Sequence, residues 1–164
     1  MKKQIFLTVS AMLLVFAVSF LGCAAKTKSN DVFFNDMKEL LKNRALVVAY
    51  DDGAVKTYDE KGIQPLFKHL ESGNFKDAYV FDKVTGKASA LILVYGEAAR
   101  LHTGILSKEA VPVLEKYNVK YSADTVVEYI INRAGDDKCP MEKTVSDIDD
   151  PEEAYRVLKE KFNK

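Results

Sequence analysis

Two polar segments of the chain carry residue types that could bind or transform a ligand. The first runs from Asp82 to Lys87, between a short apolar run and an apolar helical pattern. We expect free backbone amides at the helix start, which together with Lys83, Thr85 and Lys87 would attract an anion such as phosphate. The glycine spacing around Gly86 is not that of a P-loop or a dinucleotide fingerprint. An ordinary turn, capped by Thr85 and flanked by solvated lysines, is the alternative.

The second segment runs from Asn132 to Glu142 and places Cys139 immediately before a proline that starts a helix. A helix N-terminus favours the thiolate form of cysteine, which suits a nucleophile or a metal ligand. Arg133 would pair with an anionic group, and Asn132 would hydrogen-bond a base or an amide. Glu142 falls at the third helical position, where serving the helix cap is the simpler role.

A metal site is harder to assemble from this composition. Zinc needs three or four ligands, and beyond the N-terminal leader the chain offers Cys139, His69 and His102 beside carboxylates. We therefore predict no metal and no cofactor. His69 flanks the apolar stripe of a predicted helix, which indicates a surface residue. His102 ends a predicted central strand, where sites often lie, although a hydrogen-bonded structural histidine fits equally well.

The N-terminus has the pattern of an export signal. Lys2 and Lys3 precede an uncharged apolar core from Ile5 to Leu21. The Gly-Cys pair ending at Cys23 resembles the bacterial lipobox, where signal peptidase cuts before the cysteine and the thiol is lipidated. We expect a membrane-anchored lipoprotein of the bacterial cell envelope. An uncleaved anchor, or cleavage after residue 24 or 25, is the alternative.

These observations divide the chain into a lipoprotein-type signal peptide over residues 1–23, a tether over 24–30 and one domain over 31–164. With Cys23 lipidated, Cys139 has no internal disulfide partner. Without the two leader lysines the chain has 22 basic and 24 acidic residues. Since no basic block follows, binding to nucleic acid by bulk electrostatics is not expected.

Strand and helix patterns alternate along the domain, which indicates an α/β sandwich around one mixed sheet. The nearly apolar unit from Ala78 to Tyr95 is predicted to be a buried strand, a turn and a central buried helix. Predicted strands cover 45–50, 54–58, 78–81, 98–102 and 119–121. Predicted helices cover 31–43, 63 to about 73, 88–95, 107–117, 124–131, 140–145 and the stretch from 151.

Three stretches carry a resemblance to a prokaryotic family of uncharacterised proteins whose fold is like that of cytidine deaminases. They are Asp82 to Ala88, His102 to Ser107, and Asn132-Arg133 through Cys139-Pro140-Met141-Glu142. The resemblance covers the chain from about Phe33 onward. It implies a three-layer αβα sandwich with a mixed sheet.

Deaminases carry a His or Cys followed by Ala and Glu at one helix start, and Pro-Cys-x-x-Cys at a second; these hold zinc and shuttle the proton. The first position corresponds here to Val84 to Ala88, with neither ligand nor glutamate. The second corresponds to Cys139 through Glu142, with a single cysteine. The resemblance therefore implies a fold without zinc chemistry and without deaminase activity.

The leading hypothesis is a membrane-tethered domain that binds a small anionic, nucleotide-like ligand where two helix starts approach one sheet edge. The alternatives are a thiol enzyme that depends on Cys139, and a structural or partner-binding envelope lipoprotein. The sequence does not indicate an oligomeric state. The candidate ligand-binding residues are Lys83, Thr85, Gly86, Lys87, His102, Asn132, Arg133, Cys139 and Glu142.

Overall fold

The structure is a computed structural model and describes residues 30–162. The predicted signal peptide lies outside the described residues, as does the tether apart from Asn30. Five strands are present in this range: β1 Leu46–Ala49, β2 Val55–Tyr58, β3 Tyr79–Thr85, β4 Arg100–Ser107 and β5 Lys120–Val127. The helices are α1 (30–42), α2 Gln64–Leu70, α3 Lys87–Tyr95, α4 Val111–Lys116, α5 Pro140–Thr144 and α6 Pro151–Phe162.

The strands form one mixed sheet in the order β2-β1-β3-β4-β5. Strand β1 pairs antiparallel with both of its neighbours, whereas β3, β4 and β5 run parallel. The sequence Asp51-Asp52-Gly53 predicts a tight hairpin, and a hairpin joins β1 to β2 there. Gly53 has φ +88°, a conformation that glycine adopts without steric cost. The sheet and its flanking helices confirm an α/β fold with one mixed sheet.

Helix α3 is the centre of the main helical layer. Its residues from Lys87 to Leu93 are buried, and α2, α4, α5 and α6 all contact it. This confirms the central helix predicted from its unbroken apolar run. The layer packs on the sheet face that carries Val48, Val80 and Leu101.

The opposite sheet face buries Val47, Phe81 and His102, which lie side by side on three neighbouring strands. At its edge, Lys83 Nζ donates a hydrogen bond to the Lys42 carbonyl at 3.1 Å, so the end of α1 lies beside β3. The boundary between two compact units falls just after Lys38, inside α1. No helix in the described range is long and apolar enough to span a membrane.

Three predicted boundaries were wrong, and in each case a strand runs further than expected. Strand β3 continues to Thr85 through what was predicted to be a turn, and β4 continues to Ser107. The predicted helix over 124–131 does not form, since β5 runs to Val127. The C-terminal parts of these strands contain polar residues of the types that are common in turns and helix caps, and the sequence therefore predicted turns and caps there. The second half of β5 is β-branched and faces solvent at the sheet edge, so it has no apolar alternation to reveal it.

Helix ends were predicted better than strand ends. The sequence predicts a left-handed stop at Asn118, an N-cap at Asp150, and a kink or one lost backbone bond at Pro112. Asn118 has φ +57° after α4, and Asp150 Oδ1 accepts the Glu153 amide at 2.8 Å, so both ends are confirmed. Pro112, in contrast, does not kink α4. It falls in the first turn, where the missing amide hydrogen has no intrahelical partner to lose.

Candidate ligand-binding site

The starts of α3 and α5 meet at the carboxylate of Glu142. This side chain is only 1% exposed. Its Oε1 accepts the Lys87 amide at 2.9 Å, and its Oε2 accepts the Ile130 amide at 2.7 Å. One carboxylate therefore joins the first turn of α5 to the first turn of α3 and to the loop after β5.

Gly86 makes this approach possible. A Cβ atom there would lie 2.9 Å from Glu142 Oε1 and 3.0 Å from Ile130 Cγ1. Gly86, and not Thr85, is the N-cap of α3, and it supplies no side-chain cap. Glu142 supplies the cap from another helix. The position where the sequence predicted a bound anion is thus taken by an intramolecular carboxylate.

A cavity of about 640 Å³ opens beside this junction. Five of the nine predicted ligand-binding residues line it: Gly86, Asn132, Arg133, Cys139 and Glu142. Its walls are mostly apolar and come from α2, β3, α3, the loop after β5, α5 and the end of α6. The apolar wall residues are Ile63, Val84, Ala88, Ile130, Ile131, Ala134, Pro140, Met141 and Phe162.

Lys83 and Thr85 are not part of this cavity. Lys83 is held by its hydrogen bond to the Lys42 carbonyl. Thr85 is fully buried, and its hydroxyl donates to Asp82 Oδ2 at 3.0 Å. They were predicted to be anion ligands, and Thr85 a helix cap, because β3 was predicted to end at residue 81. The strand in fact runs to Thr85.

Lys87 reaches the site only through its backbone amide. Its Nζ donates to the Ser146 carbonyl at 2.7 Å and pairs with Asp149 at 2.9 Å. The hydrogen bond from Lys87, together with its charge, lowers the pKa of Asp149. The lysine therefore holds the segment between α5 and α6 and is not available to a ligand.

The two histidines lie away from the cavity. His102 is 2% exposed, with Nδ1 2.9 Å from Ser122 Oγ and Nε2 3.7 Å from Asp124 Oδ2. It lies within β4 and not at its end. Its surroundings therefore match the alternative interpretation of His102, a hydrogen-bonded structural histidine. His69 is half-buried on α2, with its ring 4.1 Å from that of Tyr58 and its Nε2 3.3 Å from Glu60 Oε1.

Asn132 and Arg133 lie in the same loop but differ in their partners. Asn132 Oδ1 accepts the Gly135 amide at 2.8 Å, and its Nδ2 donates to Asp136 Oδ1 at 2.9 Å, so Asn132 organises the loop. Arg133 Nη2 would lie 3.6 Å from a Cβ placed on Gly62. Its guanidinium makes no hydrogen bond or ion pair with any residue in the described range.

Among the cavity residues that were not predicted as site residues, three bear on its chemistry: Lys61, Ser89 and Phe162. The sequence could have indicated Ser89 as a site residue, because it is the only polar residue between Ala88 and Val94. It is 8% exposed, and its hydroxyl makes no hydrogen bond with the residues that the structure describes. No sequence pattern indicates Lys61 or Phe162 as site residues, because only the tertiary structure brings the loop before α2 and the end of α6 together.

The cavity lining does not fit a zinc ion. Cys139 and Glu142 are its only residues of the His, Cys, Asp and Glu types, and zinc takes at least three protein ligands. Both oxygens of Glu142 already accept backbone amides. Within residues 30–162, no group of three such side chains is placed to hold a metal ion.

Fold and site together define an α/β domain with a ligand-sized cavity where two helices begin. Residues 36–162 match the profile of the family described as TM1506, Domain of unknown function (DUF1893), and the chain belongs to this family. It is similar to the crystal structure of a DUF1893 family protein from Thermotoga maritima, with 27% identity and a TM-score of 0.69. That match covers 82% of this chain and 88% of the other. No curated protein matches the chain.

Proposed function

We propose that the cavity binds a small ligand with an apolar body and an anionic group, such as a nucleotide. A volume of about 640 Å³ is within the range of small-molecule sites. Its apolar walls suit a planar ring or a hydrocarbon body. Phe162 is 38% exposed and lines the cavity, so it offers an aromatic surface for stacking.

The observation that carries the proposal is a pair of cations without protein partners. Arg133 and Lys61 both line the cavity, and neither makes a hydrogen bond or ion pair within the described range. Most other lysines and arginines in that range are paired, as Lys138 is with Glu109 at 2.6 Å. A planar guanidinium can hold a carboxylate or phosphate through two parallel hydrogen bonds.

The relation to deaminases is part of the same proposal. It is supported by the mixed sheet flanked by helices and by a cavity between two helix starts. In this view Glu142 fills the space in which a deaminase would hold its ion, and the fold serves binding without zinc chemistry.

A thermal-shift and calorimetric series tests the proposal. We expect nucleoside monophosphates to bind the full-length chain more tightly than their nucleosides, because only the former offer an anion to Arg133. Arg133→Ala should weaken nucleotide binding by roughly tenfold or more, as expected for a hydrogen bond to a charged group. Arg156→Ala is the matched control, since Arg156 is an exposed arginine on α6 and does not line the cavity. Equal binding by nucleotide and nucleoside, or by wild type and Arg133→Ala, would contradict the proposal.

Cys139 supports a second candidate, a thiol enzyme. The thiol is free, partly exposed and lines the cavity. The rate of its alkylation as a function of pH separates the two candidates. A thiol that reacts only above about pH 8 is an ordinary cysteine, and that result would remove this candidate.

We further propose that Cys23 carries a lipid that tethers the domain at the bacterial cell envelope. The sequence pattern at Gly22-Cys23 supports this. Metabolic labelling with a fatty-acid analogue should mark the wild-type chain and not Cys23→Ser, with Cys139→Ser as the control that keeps its label. Label on Cys23→Ser would contradict it.

A further inference from the structure

Two polar side chains of the cavity lining differ chemically from its cations Lys61 and Arg133. They are Ser89 from the first turn of α3 and Glu142 from α5. Both are more than nine-tenths buried, at 8% and 1% exposure. The Ser89 hydroxyl has no hydrogen-bond partner among the described residues. A hydroxyl without a protein partner that lines a cavity is a group to which a ligand can hydrogen-bond.

The charge of Glu142 determines which ligand group fits beside it. The start of α3 would otherwise attract an anion, but the Glu142 carboxylate already lies on the Lys87 amide. A second anion would therefore face a carboxylate. Each Glu142 oxygen accepts one backbone amide and retains further acceptor capacity. A ligand group that donates a hydrogen bond can therefore bind the Glu142 carboxylate, whereas a group that only accepts hydrogen bonds cannot.

We infer that Ser89 and Glu142 form a subsite for an N–H-bearing head group of the ligand: an amide, an amidine or the amino edge of a heterocycle. Glu142 accepts a hydrogen bond from the head group, and the Ser89 hydroxyl completes the contact. The ligand is then polar at both ends, with N–H donors inside, an apolar body along the walls and an anion at Arg133. This inference rests on the proposed function, because it takes the cavity to be the ligand site.

Three ring compounds of nearly equal size isolate the head group. Benzamidine, benzamide and benzoate share the same ring and differ at one end, which is a cationic donor, a neutral donor and acceptor, and an anionic acceptor, respectively. Each is titrated into the isotope-labelled full-length chain, and dissociation constants in the millimolar range are read from amide chemical shifts, including those of Ala88 and Ser89. Because the benzoate carboxylate is also a ligand for Arg133, the series is titrated into the Arg133→Ala variant, where we expect benzamidine and benzamide to bind at least about threefold more tightly than benzoate.

Ser89→Ala removes only the hydroxyl from a helical position. It should weaken benzamidine and benzamide binding by roughly threefold to tenfold and leave benzoate unchanged. Ser122→Ala is the matched control, because Ser122 contacts His102 and does not line the cavity. Benzoate binding as tightly as benzamide, donor binding unaffected by Ser89→Ala, or no binding of any probe at about 10 mM would overturn the inference.

The two proposals fail separately. Benzamidine and benzamide carry no anion, so Arg133→Ala should leave their binding unchanged, whereas it weakens benzoate binding if Arg133 is the anion contact. If nucleotide binding depends on Arg133 but the probes show no head-group preference, only the subsite proposal is contradicted. If the probes show a preference for donors that depends on Ser89 but nucleotide binding does not depend on Arg133, only the anion contact is contradicted.

Discussion

Glu142 and His102 occupy two regions that invite comparison, because each buries a titratable side chain almost completely. Glu142 is 1% exposed and accepts two backbone amides. His102 is 2% exposed and lies 2.9 Å from Ser122 Oγ. The difference is access. Glu142 lines the cavity at the junction of two helix starts, whereas His102 lies inside β4 against Phe81, 5.8 Å between ring centroids.

The comparison shows that position along a strand decides which buried polar group can meet a ligand. Sites in sheets of this kind lie beyond the carboxyl ends of parallel strands. Gly86 directly follows the end of β3, and Glu142 approaches it there. His102 is the third residue of β4, so the strand continues for five residues beyond it.

The largest expected effect comes from breaking the Glu142 junction. Glu142→Ala would leave the amides of Lys87 and Ile130 unpaired in a buried position and open a void. We expect the free energy of unfolding to fall by about 3–5 kcal/mol, measured by urea denaturation. Glu152→Ala, at an exposed position in the first turn of α6, is the control. A loss below about 1 kcal/mol would show that the two helix starts are not joined by this carboxylate.

A second effect belongs to the sheet and depends on pH. Burial raises the pKa of Asp82 to about 6, against the opposing hydrogen bonds from Thr85 and from the Val84 and Lys83 amides. Because this folded-state pKa lies above the unfolded value of about 4, the stability that protonated Asp82 contributes is complete below about pH 4. It is lost as pH rises through about 6.

We therefore expect the free energy of unfolding of the wild type to include a decrease on the order of 2 kcal/mol between about pH 4 and 7. Asp82→Asn should remove that decrease, while the exposed Asp36→Asn keeps it. Denaturation curves at several pH values measure both. An identical pH profile for wild type and Asp82→Asn would contradict the assignment.

The smallest expected effect on stability concerns the region around His102. Ser122→Ala removes the hydroxyl next to His102 Nδ1 and should cost about 1 kcal/mol of stability. Nucleotide affinity should not change, because neither residue lines the cavity. A change in affinity larger than about threefold would mean that the two regions are coupled and that the contrast drawn between them is wrong.

Part of the candidate site was predictable because it depends on local pattern. The start of α5 at Pro140 follows from the proline, and a helix from about Ala88 follows from the apolar run, although its cap is Gly86 and not the predicted Thr85. The roles of Lys83, Thr85 and Lys87 were not predictable in the same way. Each depends on where β3 ends, and the polar run Asp82-Lys83 within the strand resembles a turn.

By itself the sequence determined the alternation of strands and helices, the buried central helix, the hairpin at Gly53 and the two helix starts that border the cavity. Local conformational preferences and the periodic burial of side chains are sufficient for these. The tertiary structure alone decided that Glu142 caps α3 across 55 residues of chain and that Lys61, Ser89 and Phe162 face one cavity. Such contacts depend on how distant elements pack, and no local pattern encodes the distance between them.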